Sequence, residues 1–262
     1  MTYSLAESHS FIEEHQSFIE RFARTIEVAS SSSGAIVGAK DIHSRHLTAS
    51  DAYARIVGLR YGKDVAGRLD RDMPCEGTAR FADCFVREDR DLLESGNPGA
   101  TTSVLNIHRY ETGLTALVFD KFLLKHHPTK SVLGIVYSAY ETSLERFTAL
   151  FPGYWAQFGF GCSIERADAS AVHGLGQLSP LEYEVVFLLA VGIDAGGIMH
   201  FMRRLRPAPG TNEDVSAALA GIADKATAAG ITFASLREVL IDARVHQRMP
   251  GSFFGKVVGS HL

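Results

Sequence analysis

The chain has 262 residues, of which 46% are hydrophobic, and its 26 Lys and Arg against 30 Asp and Glu give a net charge of −4 at pH 7. That length suits two domains of about 100–150 residues better than one. The charge balance excludes whole-molecule attraction to a polyanion, so any nucleic-acid contact has to come from a local patch. Three cysteines, Cys75, Cys84 and Cys162, lack CxxC spacing and imply neither a disulfide framework nor a zinc site. Reduced thiols in a cytoplasm are the expectation. The first residues lack the basic start and apolar run of a secretory signal. The longest apolar stretch, 185–193, falls far short of about 20 residues, so no membrane partner is expected.

In chain order, Phe11, Ile12, Phe18, Ile19, Phe22 and Ile26 recur at helical spacing and predict a helix over 8–26, ended by a Ser-rich break at 30–34. Two uses of that face stand side by side: packing on its own domain, or a dimer contact. Segments 34–41 and 44–48 read as short strands. A short helix over 51–57 is capped by Ser50 or Asp51 and stopped at Gly58. A turn at 65–69 and a longer helix at 78–93 follow. Three strands come next, at 101–110, 115–125 and 131–140, separated by Glu111-Thr112-Gly113 and His126-His127-Pro128-Thr129.

Two strands, small helices and three strands in a meander form a specific order. Together with Ser50-Asp51-Ala52-Tyr53-Ala54-Arg55-Ile56-Val57-Gly58, Val65-Ala66-Gly67 and the closing Val132-Leu133-Gly134-Ile135-Val136-Tyr137-Ser138, it resembles the PAS family over about 105 residues. Ser50 stands where many members carry Asn. The resemblance implies a five-stranded antiparallel sheet with flanking helices, and a possible small-molecule ligand between the sheet's inner face and the helices. A filled core without ligand is the competing expectation.

Period-two alternation puts Leu117, Phe119 and Lys121 on one face of the central strand and Val118, Asp120, Phe122 and Leu124 on the other. The second set is more apolar, so Val118, Phe122 and Leu124 are the expected inner face. Leu133, Ile135 and Tyr137 join them from the last strand, with Leu105 and Ile107 from the first. Scattered histidines, with Cys84 alone on the long helix, do not make a haem site. Asp83-Cys84-Phe85 does not resemble the flavin-photosensor motif. No HExxH, phosphate-binding loop or Gly-x-Ser-x-Gly elbow occurs, so the chain does not read as an enzyme, and no cofactor is identified.

Residues 141–150 carry Leu144, Phe147 and Leu150 at helical spacing and read as a signalling helix. The Gly- and aromatic-rich stretch 151–177 reads as linker. A Ser cap and a first-position Pro then open a helix at Leu178-Ser179-Pro180, ended by Gly192. Further helices are predicted over 194–205, 211–229 and 233–243, the third capped by Thr211 with Asp214 in a box-like arrangement. Helix, helix, turn, helix, helix, entered through Leu178-Ser179-Pro180-Leu181-Glu182-Tyr183-Glu184-Val185, is similar to the LuxR-type helix-turn-helix domain. The resemblance implies a DNA-binding homodimer reading paired half-sites.

Two departures from that family stand out. The turn at 206–210 is longer, and where the recognition helix usually carries Lys, Arg or His this chain reads Asn212-Glu213-Asp214-Val215-Ser216-Ala217-Ala218. Residues 211–230 carry three acids and only Lys225. Candidate DNA contacts are Arg203, Arg204, Arg206 and Lys225 to phosphate, with Thr211, Asn212 and Ser216 reading bases without charge.

The expected fold class is α+β: an N-terminal helix (1–33), a PAS domain (34–140), a signalling helix and linker (141–177), and an all-α helix-turn-helix-like domain (178–262). The expected function is a transcriptional regulator controlled at the PAS domain. The alternative is a non-DNA-binding signalling protein whose helical domain docks partners or dimerises.

Overall fold

A computed structural model describes residues 3–161, 163–168, 171–208 and 210–258. Cys162, read above as a reduced thiol, and Pro209 of the long turn lie outside the described residues, as do the side chain of Phe233 and the last residues of the 178–262 domain. The chain divides into two compact units, residues 1–144 with 160–163 and residues 145–159 with 164–262.

The first unit opens with strand β1 (Ser4–Leu5) and helix α1 (Glu13–Ser33). Helix α1 runs through the serines expected to break it. The hydroxyls of Ser31 and Ser33 donate back to the Val28 and Ala29 carbonyls at 2.8 and 2.7 Å, so the helix keeps them and stops only at Gly34, in the left-handed region at φ 66°. Strands β2 (Ile36–Lys40) and β3 (His46–Ala49) follow, then helix α2 (Asp51–Ile56), which Ser50 caps by accepting from the Tyr53 amide at 3.2 Å. A 3-10 turn, Asp70–Asp72, precedes helices α3 (Glu76–Arg80) and α4 (Ala82–Glu94), a pair where one helix was expected. Strands β4 (Thr101–Tyr110), β5 (Gly113–His126) and β6 (Ser131–Glu141) complete the unit.

The strands lie side by side as β3-β2-β6-β5-β4, every pair antiparallel. Two strands, helices and a three-strand meander are the order the PAS resemblance implies. Strand β1 adds a short parallel pairing to β6, so the sheet is neither five-stranded nor wholly antiparallel.

Register decides which side chains share a face, and it reverses the expected assignment. Phe119 pairs with Ala139, Lys121 with Tyr137 and Leu123 with Ile135, while Asn106 pairs with Leu117. Leu117, Phe119 and Tyr137 pack with Tyr53, Val57 and Met73 under the small helices, so this row is the inner face. Leu105, Ile107, Val118 and Phe122 alternate onto the opposite face. Leu124 and Leu133 lie there as well, packed with Ala39 and Val136 against Phe18, Ile19 and Phe22 of α1 and Phe11 just before it. The outer face is apolar because a helix covers it. Packing on its own domain, one of the two uses foreseen for that helix, is observed.

The second unit begins in the stretch read as signalling helix and linker. Helices α5 (Leu144–Leu150) and α6 (Tyr154–Phe158) bury Phe147 and Tyr154, and strand β7 is Ser163–Ala167. Helices α7 (Pro180–Ala190), α8 (Ala195–Leu205), α9 (Thr211–Ala228) and α10 (Phe233–Asp242) follow at the expected places. Strand β8 (Arg248–Pro250) and helix α11 (Gly251–Val258) come after them.

Phe151 stacks edge-on with Phe187 of α7 at 5.7 Å and sits 5.7 Å from Phe201 of α8, which in turn meets Phe253 of α11. Aromatic rings bury large areas without needing a repeating pattern. Residues 151–159 and 164–177 therefore belong to this unit, with Phe151 and Tyr154 in its core, rather than to a linker. Strands β7 and β8 pair in parallel, so the unit is not all-α.

Candidate functional site

The inner face of the first unit's sheet carries a continuous chain of buried polar and charged groups. Its charged members and His46 come from five elements, and two tyrosines, Tyr53 of α2 and Tyr137 of β6, join them. Lys40 ends β2, His46 starts β3, Asp70 opens the 3-10 turn, Glu88 and Asp89 sit on α4, and Lys121 lies mid-way along β5. Tyr137 OH donates to His46 Nδ1 at 3.2 Å, and His46 Nε2 donates to Asp70 Oδ1 at 3.0 Å. Tyr53 OH donates to the same oxygen at 3.2 Å. Lys40 Nζ donates to Asp70 Oδ2 at 2.6 Å and Asp89 Oδ2 at 3.2 Å. Lys121 Nζ donates to Asp89 Oδ1 at 2.6 Å and Glu88 Oε2 at 2.9 Å. Glycine permits one link: Gly38 faces Tyr137 across the β2–β6 pair, and a Cβ there would collide with the phenol oxygen.

Two buried ammonium groups thus meet two buried carboxylates, Asp70 and Asp89, and the partly exposed Glu88. Burial alone would push the Asp70 carboxyl up, but Lys40 and the His46 hydrogen bond overcome it and hold the group well below the usual carboxylate range. Asp89 moves the same way, with Lys121 and Lys40 outweighing burial. Burial opposes the charge on Lys40 and Lys121 as well, yet their carboxylate partners raise both. His46 is lowered chiefly by burial, so it stays neutral as a donor to Asp70.

This chain borders a cavity of about 30 Å³ lined by Lys40, Asp70 and Lys121, by the rings of Tyr53, Phe85, Tyr110, Phe119 and Tyr137, and by Thr78 and Asn106. The space suffices for one or two waters. Thr78 Oγ1 is buried without a hydrogen-bond partner among the described residues, and Asn106 is a hydrogen-bonding neighbour of Tyr110 OH. Glu88 Oε1, on the carboxylate bound to the lining Lys121, is also without a partner among the described residues. Buried polar atoms left unpaired cost about 1–3 kcal/mol each, and a water in this space can pair them.

Tyr137 alone of the expected pocket residues lines this cavity. Ile135 shares its face but packs with Leu92, Leu123 and Val132. Leu105, Ile107, Val118, Leu124 and Leu133 are buried on the far side, and Phe122 is 41% exposed there. The error was to rank the faces by apolarity, whereas the inner row is interrupted by charge. One signal was present: Lys121 stands in a strand row with Leu117, Phe119 and Leu123.

In the second unit, α7 opens with a full capping box. Ser179 Oγ accepts from the Glu182 amide at 3.2 Å and Glu182 Oε2 accepts from the Ser179 amide at 2.7 Å. Several expected DNA contacts are engaged internally. Lys225 donates to both Glu182 carboxylate oxygens, at 2.7 and 2.8 Å. Arg206 pairs with Glu184, which is 3% exposed and also accepts from Ser252 at 2.6 Å. Thr211 is buried and does not cap α9, because Gly210 takes the cap position at φ 87°. Its hydroxyl instead donates back to the Arg206 and Ala208 carbonyls, both at 2.8 Å.

Asn212 Oδ1 is buried without a partner among the described residues. Arg203, Arg204 and Ser216 are exposed, and the two arginines make no ion pair among the described residues. Along α9 the exposed charges are Glu213, Asp214 and Asp224.

No family model matches the sequence, and no curated protein matches it. Among solved structures the chain is similar to VqmA bound to DPO, at 22% identity and a TM-score of 0.40, over 94% of this chain and 98% of that one. It is also similar to a Vibrio cholera VqmA–ligand–DNA complex, at 24% identity and a TM-score of 0.41, covering 89% and 92% of the two chains. A phage VqmA–DPO complex gives 21% identity and a TM-score of 0.45, over 92% of this chain and 94% of that chain.

Proposed function

We propose that the chain is a cytoplasmic, ligand-responsive regulator in which residues 34–140, with α1 as cover, form a PAS-type sensor and residues 178–262 a divergent LuxR-type helix-turn-helix module acting on DNA as a homodimer. The observation that carries this reading is the capped α7 followed by α8, α9 and α10 in order, with Arg203 and Arg204 exposed at the end of α8 and without an ion pair among the described residues. There they suit both the helix dipole and a phosphate backbone. The sensing end is the inner-face cavity.

Selection from a random duplex library, followed by a salt titration of the selected sequence, tests the output. Binding should weaken linearly in log salt, and the R203A and R204A substitutions should each reduce the slope by about 1. A salt-independent interaction, or none at low salt, removes the DNA reading.

A second reading is favoured by a specific observation. The exposed charges of α9 are all acidic, and an acidic helix is repelled by the duplex it would enter. In that reading the second unit docks a protein partner or a second copy, and the library selection enriches nothing.

A further inference from the structure

We infer that the first turns of α1 are latched to the sheet by a pair of buried histidines, His15 and His126, and that acidification through the ordinary histidine range loosens this latch. The inference stands apart from the regulator reading and holds whether or not the second unit binds DNA. Its first support is a hydroxyl shared three ways. Thr129 Oγ1, in the turn between β5 and β6, donates to Ser131 Oγ at 3.0 Å and meets His15 Nε2 and His126 Nδ1, each at 2.8 Å. A hydroxyl has one hydrogen to give, so with that one on Ser131 both rings donate to Thr129, and each neutral ring keeps its other nitrogen bare.

The second support is what a further proton would meet. His15 and His126 are each 5% exposed, and His15 Nδ1 is buried without a hydrogen-bond partner among the described residues. A proton added there makes an N–H with no acceptor and a charge out of water. It does so beside a second imidazole whose ring centre lies 5.2 Å away. Phe11 packs edge-on to His15 at 5.7 Å and Phe18 to His126 at 5.2 Å, so the walls around the pair are apolar.

The other charges nearby do not cancel this effect. Burial and then His126 lower the proton affinity of His15, and the exposed Glu14 beside it on α1 opposes them more weakly. From the β5–β6 turn, His127 is held by the Tyr3 hydroxyl at 2.5 Å, Lys125 donates to the Pro98 carbonyl at 2.6 Å, and Lys130 is exposed. Glu7, ahead of the helix, pairs with His43 at 2.5 Å, an exposed contact that protonation strengthens and that therefore works against release. With the docked value of His15 below the undocked one, the undocked helix binds the proton more tightly, so docking weakens as pH falls below about 6.5. The docked form stays the major one, and its openings become more frequent.

Amide hydrogen exchange of the full chain by NMR, corrected for the intrinsic pH dependence of exchange, tests the latch at about pH 7.5 and about pH 5.5 in wild type and H15Q. Glutamine can still donate to Thr129 but does not titrate. Wild-type amides of residues 17–22 should lose at least about tenfold in protection between the two conditions, the effect of one proton over one pH unit, while H15Q loses less than about threefold. Equal losses in the two proteins, or no loss in the wild type, overturn the inference. If H15Q leaves α1 unprotected already at the higher pH, the imidazole carbon-13 shifts of the wild type decide. His15 should then stay neutral to a pH below the free-histidine value, and protonation at or above about 6.5 overturns the inference.

Discussion

The two faces of the first unit's sheet bury side chains of opposite kinds. On the outer face Ala39, Leu124, Leu133 and Val136 meet the apolar stripe of α1, and little but shape is required. On the inner face Lys40, Asp70, Asp89 and Lys121 are buried in a chain of ion pairs beside a small cavity. Hydrophobic packing is the cheaper way to close a domain, since burying charge costs more than its pairing returns in many proteins. A face that closes over charge anyway is therefore the one that carries specificity, and the apolar face is the one that carries cover.

That contrast breaks most visibly at Asp89, which bridges both lysines. Asp89→Ala takes one of two carboxylate partners from each lysine, leaving Lys40 with Asp70 and Lys121 with Glu88, and should cost roughly 3 kcal/mol in urea unfolding. A loss below about 1 kcal/mol would mean the inner face is already wet. On the outer face Leu133, fully buried, should lose about 2–4 kcal/mol on truncation to Ala, with the same loss at every pH between 5 and 8.

The smallest effect sharpens the comparison through pH. His108, on the inner face between Phe81 and Phe85, is pushed down to about 4, mainly by burial. Its folded value lies below the unfolded one near 6.5, so the unfolded chain binds the extra proton and stability falls as pH drops through that window. Between pH 7 and 5 the wild type should lose about 2 kcal/mol more than H108F, measured by urea unfolding at each pH. Equal losses would place the ring in contact with water.

The order of elements was legible because strands, caps and breakers act locally. Ser50, the Ser179–Pro180 start and Asp194, whose carboxylate accepts from the Gly197 amide at 2.7 Å, each set a helix start where the sequence places it. The candidate site was not legible, because alternation separates two faces without saying which one is inside. Apolarity pointed outward, to the side α1 covers. Lys121 could have pointed inward, but its meaning depends on Asp89 and Glu88, more than thirty residues away in sequence and brought close only by the fold. The aromatic stretch at 151–158 was missed for a related reason. Phe151 and Tyr154 are buried by partners on α7, α8 and around His246 rather than by a periodic pattern of their own.

The most direct test is carboxyl carbon-13 NMR of Asp70 and Asp89 through a pH titration, assigned with D70N and D89N. Ionised carboxylates held by Lys40 and Lys121 should keep their deprotonated shifts below pH 3.5, beneath the ordinary carboxylate range. If either group takes up its proton near pH 4 or higher, the buried chain is not a set of ion pairs.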